Sequence, residues 1–441
     1  MDKTTCKHII FSALGSLGDV YPYIAIAKQL EELGFHTSIA TSLNHCPMIQ
    51  AQGLNFLHVR PDLDGLENFD KELISKVMDE KNGSEYVLRE IVLANLADSY
   101  ADIYAHSESA SLLVTHPLTY GAIVAARKRN IPFVATILAP TSMWSAFDPP
   151  SLPRAKNLPQ IRQMFGPVVT KLMLQLIASQ VYPWSKPYRD LQAQAGLSVD
   201  KANPFFEGQY SPVKNLALFS PLFGPSQPDW PLNVVATGFP FLEESAANPN
   251  FANDPSNPSE KRLLEFLEAG TKPIVFTLGS SAVMEAGSFY LDSIAISKSL
   301  GKRAVLLSGP AVLNRLPDPL PPGVIAFEYL PHAAVFPHAS VVVHQGGIGT
   351  TAQSLRAGIP QLVMPYSHDQ FDNANRVMRL GVGLSVSRKA YKREAGKLLA
   401  RLLEPSYEKA ASELGLKIQV EDGAKMAAQE IAKTAIYQGA K

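Results

Sequence analysis

The stretch with the clearest chemical potential is Val341-Val342-Val343-His344-Gln345-Gly346-Gly347-Ile348-Gly349-Thr350-Thr351. An apolar, β-branched run ends at a histidine, passes through glycines and opens into a helix, which reads as strand, tight turn and helix start. Glycines let backbone approach a ligand closely, and the N–H groups of a first helical turn have no intrahelical partner, so such a turn favours a phosphate. His344 beside it would supply one more donor. The alternative is an ordinary βα turn in which His344 is a satisfied strand-end residue. Gly347-Ile348-Gly349-Thr350-Thr351-Ala352 also matches the loose dinucleotide fingerprint, with Asp369 about twenty residues on, so a nicotinamide- or flavin-dependent oxidoreductase stays open. Against that, Asp369 lies past its strand in a polar turn, and His344 precedes the glycines, where a dinucleotide fold does not need it.

A second chemically suggestive loop is Gly15-Ser16-Leu17-Gly18-Asp19, followed by Pro22. A carboxylate there either stabilises the first turn of the coming helix or serves as a general base at the ligand edge of a sheet. Asp62-Leu63-Asp64 resembles paired carboxylates that hold a metal on a nucleotide diphosphate, but beside Pro61 and without a supporting ligand it reads as a solvated loop. No His/Cys cluster has metal-site spacing, and no metal is expected.

These residues need a scaffold, and 441 residues provide for two domains with two sizeable cores. The 40 basic and 40 acidic residues balance, so nothing electrostatic over the whole chain argues for nucleic acid or an anionic membrane. Two cysteines, Cys6 and Cys46, lack C-x-x-C spacing and fit a reducing compartment. The run His8 to Leu14 is too short for a signal peptide core and reads as a first strand, and no run approaches a bilayer-spanning length. The chain is expected to be cytoplasmic and soluble.

Lys7 to Leu14, a helix from near Pro22 to Leu33, and a strand His36 to Thr41 form a βαβ opening, which predicts a parallel sheet with a ligand crevice at the strands' carboxyl ends. Strands at Leu112 to Thr115 and Phe133 to Ile137, with helices near Ser84 to Ser107 and Gly121 to Arg129, continue it. From 143 to 210 the chain is proline-rich around an apolar helix, Val168 to Val181. Met143, Trp144, Phe147, Phe165 and Met173 gather there, either as the core of a helical cap or as an apolar acceptor pocket or a face that touches lipid. Strands at Leu216 to Phe219 and Val234 to Thr237 close an N-terminal domain, 1–242. The Asn/Pro/Ser/Asp-rich segment 243–260 reads as a linker. A second Rossmann-like domain, 261–420, follows with strands at Ile274 to Leu278, Ala304 to Leu307, Val324 to Phe327, the opening stretch and Gln361 to Met364. A last helix, 421–441, is expected to pack back on the first domain.

Tyr329-Leu330-Pro331-His332, then His344 through Thr351, then Gly358-Ile359-Pro360-Gln361 and His368-Asp369-Gln370 resemble, in order and spacing, the donor-sugar signature of family 1 nucleotide-sugar glycosyltransferases. The Gly15-Ser16-x-Gly18-Asp19 loop is similar to the bacterial and sterol-type branch, which also includes glycopeptide-antibiotic enzymes. Gln227-Pro228-Asp229-Trp230-Pro231, Thr237-Gly238-Phe239-Pro240 and His368 through Ala374 look most like the rhamnosyltransferase of bacterial rhamnolipid synthesis. The resemblance implies an α/β GT-B architecture of two Rossmann-like βαβ domains across a cleft, the first holding acceptor and the second donor. It implies that Tyr329 stacks on the base and Leu330 backbone pairs with its edge. Ser280, His344, Gly346, Gly347, Ile348, Gly349 and Thr350 would surround the diphosphate, and His368, Asp369 and Gln370 would lie at the sugar. Asp19 would be the base of an inverting, metal-independent transfer. Ala352 stands where plant members carry a ribose-gripping glutamate, which eases acceptance of a deoxyribose donor. The expected reaction moves a hexose, rhamnose from dTDP first and glucose from UDP second, to a hydroxyl of an apolar acceptor such as a hydroxyacyl lipid. The nucleotide sugar is a co-substrate and no cofactor is expected. A broad UDP-glucose-dependent sterol or natural-product glycosyltransferase and a non-catalytic nucleotide-binding partner are the other readings.

Overall fold

Continuous apolar runs such as Ile9–Phe11 and Val341–Val343 belong in strands covered on both faces, and the computed structural model places them in two all-parallel sheets. It describes residues 7–62, 70–242 and 258–438, so Cys6, Asp64 and most of the expected linker lie outside the described residues. The chain divides into two units. The first takes Met1–Asn68, Ser84–Leu242 and Glu421–Lys441; the second takes Phe69–Gly83 and Glu243–Val420.

The first unit holds a seven-stranded sheet in the order β3-β2-β1-β4-β5-β6-β7. Its strands are β1 His8–Ser12, β2 His36–Thr41, β3 Asn55–His58, β4 Ala110–Thr115, β5 Phe133–Ile137, β6 Lys214–Ala217 and β7 Val234–Ala236. The α-helices of six or more residues before β6 are α1 Leu17–Glu32, α2 Cys46–Ala51, α3 Lys71–Val77, α4 Leu96–His106, α5 Tyr120–Arg129, α6 Leu158–Val181 and α7 Lys186–Gln194. Of these, α3 groups with the second unit, which corrects the expectation of an uninterrupted first domain over 1–242. Its Ile74 and Val77, with Met78, are buried apolar side chains, and the Ser367 hydroxyl donates to Met78 Sδ at 3.9 Å within that second unit.

Helix α6 is longer than the apolar pattern predicts because it starts at Leu158, and Gly166 with φ 77° interrupts it before Pro167. Leu158–Gln194 forms a helical stretch long and apolar enough to cross a membrane by length and composition. That corrects the expectation that no run approaches such a length; the stretch includes Arg162 and Lys171, which break up its apolar sequence.

In the second unit the strands are β8 Ile274–Thr277, β9 Ala304–Leu307, β10 Val324–Phe327, β11 Val341–His344, β12 Gln361–Val363 and β13 Gly383–Ser385. They form a six-stranded sheet in the order β10-β9-β8-β11-β12-β13. Its principal helices are α8 Pro258–Glu268, α9 Phe289–Ser299, α10 Ile348–Arg356, α11 Gln370–Arg379, α12 Tyr391–Leu402 and α13 Pro405–Gln419. Val275, Val305, Leu307, Val342 and Phe336 make one core. The last helix, α14 Gly423–Gln438, packs on α1 in the first unit, where Lys214 pairs with Glu430 at 2.9 Å.

Both sheets share one rule. The order reverses between β1 and β4 in the first, and between β8 and β11 in the second. Crossovers leave such a point on opposite faces of the sheet, so the loops at its carboxyl ends part and open a crevice.

Candidate functional site

In the first unit the two strands at the reversal deliver Asp19 and His116. The loop after β1 gives Ser16 as N-cap of α1, and Asp19 Oδ2 accepts from the Ser16 N–H at 2.7 Å and its hydroxyl at 3.0 Å. Gly15 makes this possible: its φ is 137°, and a Cβ there would sit 2.3 Å from Asp19 Oδ2. The other oxygen, Oδ1, lies 3.4 Å from His116 Nε2, and the carboxylate side chain stays 34% exposed. Burial pushes the Asp19 pKa up, but His116 and the two Ser16 donors outweigh it and hold the carboxyl below its ordinary value. Asp19 is therefore ionised at neutral pH, anchored through one oxygen and open at the other.

His116 is buried, and its Nδ1 accepts the Leu118 N–H at 3.1 Å, so the ring proton sits on Nε2, facing Asp19. Tyr23, one turn after Asp19, packs edge-on against this ring and donates or accepts a 2.6 Å hydrogen bond with Thr136. Asp19 was read from the sequence with a capping alternative; it caps and faces His116 at once. His116 was missed. The signal was available, because Thr115-His116 ends an apolar strand just as Val343-His344 does. The two histidines even share a local bond, since Gly346 N–H donates to His344 Nδ1 at 3.0 Å.

In the second unit β11 runs into Gln345-Gly346-Gly347 and then α10, with Gly347 as N-cap. Gly346 has φ 92°, and a Cβ there would meet Val363 Cγ1 at 2.6 Å. A Cβ on Gly349 would meet nothing within 4 Å. Gly349 is thus demanded neither by dihedral nor by packing; it leaves open space at the helix start, where first-turn N–H groups favour an anion. Ile348 is half-buried and Thr350 buried.

His344 is a correction. It is fully buried, its Nδ1 accepts from Gly346, and its Nε2 is 2.9 Å from Gln361 Oε1. Both ring nitrogens are engaged inside the protein, so it is not a direct donor to a diphosphate; it fixes the turn that presents the Gly346–Gly349 amides. Burial brings its pKa down to about 4 against a smaller opposing effect of Gln361, so it is neutral. Gln370 is also turned inward: its Oε1 accepts the Tyr366 and Ser367 N–H groups at 2.8 and 3.2 Å, which leaves only its amide nitrogen for a ligand.

Asp369 is the N-cap residue of α11, half-buried, and accepts from Asn373 Nδ2 at 2.7 Å. The same Asn373 amide donates to Gly346 O at 2.9 Å, so this buried residue, not counted among the expected site residues, ties the glycine turn to the Asp369 turn. His368 occupies the left-handed region at φ 56°. On the other side of the reversal, Gly279–Ala282 follows β8 with Ser280 exposed, and a Cβ on Gly279 would lie 2.3 Å from Gln345 Nε2. Ser280, the glycine turn and Asp369-Gln370 are therefore neighbours. Tyr329, half-buried, and Leu330, buried in the core, follow the edge strand β10. Among the described residues no group of three or more His, Cys, Asp or Glu is placed to hold a metal.

The expected acceptor residues do not converge. Met143 is buried; Trp144 donates to Phe205 O at 3.1 Å and stacks on Phe206; Met173 packs in a cluster with Trp144 and Leu174. Phe165 points outward and Phe147 is at the surface. Most of this aromatic group is core, because the cap must bury its own apolar face. Asp229, from the Gln227–Pro231 motif, holds the loop after β5 through Ser145 Oγ at 2.5 Å and Ala146 N at 2.7 Å.

Comparison with known proteins agrees with this architecture. Residues 9–143 match the glycosyltransferase family 28 N-terminal domain, and residues 306–437 match the erythromycin biosynthesis protein CIII-like C-terminal domain. A sterol 3-beta-glucosyltransferase of Neosartorya fischeri is 29% identical over 96% of this chain and 29% of its own length. One of Arabidopsis thaliana is 28% identical over 86% of this chain and 57% of its own. The chain thus spans well under two thirds of the length of these relatives. The solved structure of glycosyltransferase VinC in complex with dTDP aligns with TM-score 0.64 at 19% identity, covering 98% of this chain and 100% of that one. Fold and matches together define a GT-B protein. The matches over both halves make the chain similar to family 1 GT-B glycosyltransferases of the sterol and natural-product type.

Proposed function

We propose that the chain catalyses inverting transfer of a hexose from a nucleoside diphosphate sugar to a hydroxyl of an apolar acceptor. Asp19 Oδ1 takes the acceptor proton as the acceptor oxygen bonds to the sugar's C1, and the C1–O bond to the diphosphate breaks with its electron pair on the leaving group. The leaving charge is met by the Gly346–Gly349 backbone and Ser280, without a metal in the step. The observation that carries the reading is the anchored, ionised, half-open Asp19 backed by the Nε2–H of His116.

That the relatives are sterol 3-beta-glucosyltransferases favours glucose over rhamnose, and a sterol-like acceptor over a hydroxyacyl lipid. Ala352, buried in α10, offers no carboxylate to a ribose hydroxyl, so dTDP donors stay in the test. The half-buried free thiol of Cys46 fits a cytoplasmic setting. The test is a panel of UDP- and dTDP-hexoses against sterols and hydroxyacyl lipids, read by mass spectrometry, with melting-point shifts for NAD, FAD, UDP and dTDP alongside. Glycoside formation with at least one pair is expected. Stabilisation by NAD or FAD alone, with no product, would return the oxidoreductase reading.

A further inference from the structure

One surface of the first unit is unexplained by the transfer reaction. On α6, Phe165, Val168, Leu172 and Leu176 are 59%, 72%, 56% and 63% exposed, and Met164 is 74% exposed. Beyond the interruption at Gly166, Val168, Leu172 and Leu176 recur every four residues and share one helix face, a stripe about 12 Å long, with Met164 and Phe165 exposed just before it. The opposite face is committed: Leu158 and Leu174 pack with Ala146, Trp144 and Leu152 inside the unit. A helix held in this way and interrupted at Gly166 lies on its domain and does not leave it to span a bilayer. Contiguous exposed apolar side chains of this extent mark an interaction surface.

Charge identifies the occupant. From Pro149 to Ser185 the chain carries Arg154, Lys156, Arg162 and Lys171 and no acidic residue, although the whole chain has 40 of each sign. Arg154 is paired with Glu85 at 3.1 Å, while Lys156 and Lys171 are exposed, Lys171 on the helix that carries the stripe. A second copy of this chain would bring like charge against like charge on this face. An anionic lipid surface satisfies both features: the stripe enters the headgroup boundary, and the basic side chains meet the lipid phosphates with their stems along the apolar face. We propose that the outer face of α6 docks the protein in-plane on an anionic bilayer. This is independent of the transferase reading, since docking needs neither donor nor acceptor.

The test is flotation of the full chain with vesicles of neutral phosphatidylcholine and of phosphatidylcholine mixed with phosphatidylglycerol, at low and high salt. Binding to the anionic vesicles that weakens with salt is expected. The double variant Leu172→Ser/Leu176→Ser should lose more than about tenfold in vesicle affinity. Lys171→Glu should lose more than about fivefold, the effect of one basic group near the surface. All three side chains are exposed, so the melting transition should be unchanged, which separates lost docking from lost folding. Absence of binding to anionic vesicles, equal binding by the variants, or a dimer that Leu172→Ser/Leu176→Ser abolishes while vesicles stay unbound would each overturn the proposal.

Discussion

Replacing Gly349 by alanine separates stability from ligand binding at the glycine turn. The new Cβ meets no atom within 4 Å, and the residue lies in the first turn of α10. Folding should gain up to about 0.5–1 kcal/mol, because alanine loses less backbone entropy than glycine in a helix. For a unit of this size that is a rise of roughly 1–4 °C in the melting point. If the open space beside Gly349 is where the diphosphate approaches, the same methyl overpacks the complex by about 1–3 kcal/mol, roughly 5- to 150-fold in donor affinity. Isothermal titration with UDP and dTDP, beside a melting curve, reads both numbers. Gly346→Ala is the control: at φ 92°, with Val363 Cγ1 at 2.6 Å and Gln370 O at 3.1 Å from the added carbon, it should melt lower. A Gly349→Ala protein that melts higher and binds nucleotide unchanged would refute the placement of the diphosphate.

Other outcomes follow from single contacts. His116→Ala removes the group that holds Asp19 down, so the Asp19 pKa rises and the acid limb of kcat/KM moves to higher pH; His116→Gln, which keeps a donor, should restore part of it. Between the ordinary histidine value near 6.5 and about 4, the unfolded chain binds a proton at His344 that the folded chain refuses. Stability is therefore full above about pH 6.5 and falls as pH drops, by about 2 kcal/mol at pH 5, and His344→Gln should flatten that part of the melting-point profile. Asn373→Ala cuts the tie between Gly346 O and Asp369; a loss of about 1–3 kcal/mol in denaturant unfolding and a raised donor KM are expected.

The two sheets were legible because buried parallel strands write themselves as β-branched runs: β2, β5, β9 and β10 have the bounds that the apolar pattern gives. Short or polar strands were not. Asn55–His58 and Gly383–Ser385 carry too few apolar residues to stand out, and they are strands only because a neighbour's backbone pairs with them. Site residues divide on the same line. Asp19 and the glycines are visible because turn chemistry is local. The inward turn of His344 is set by Gln361 from the next strand, and the Asp19 partner His116 lies far along the chain, where only strand order brings it near. Grafting Lys71–Val77 onto the second unit is equally non-local.

Turnover of Asp19→Asn, measured at saturating donor and acceptor with nucleotide binding measured in parallel, tests the central claim most directly. Asparagine keeps an oxygen to accept from Ser16 N–H and its hydroxyl, so the cap and the fold should survive. The account predicts a loss of roughly 10²–10⁴ in kcat with unchanged UDP or dTDP affinity. Turnover close to that of the native chain would contradict it.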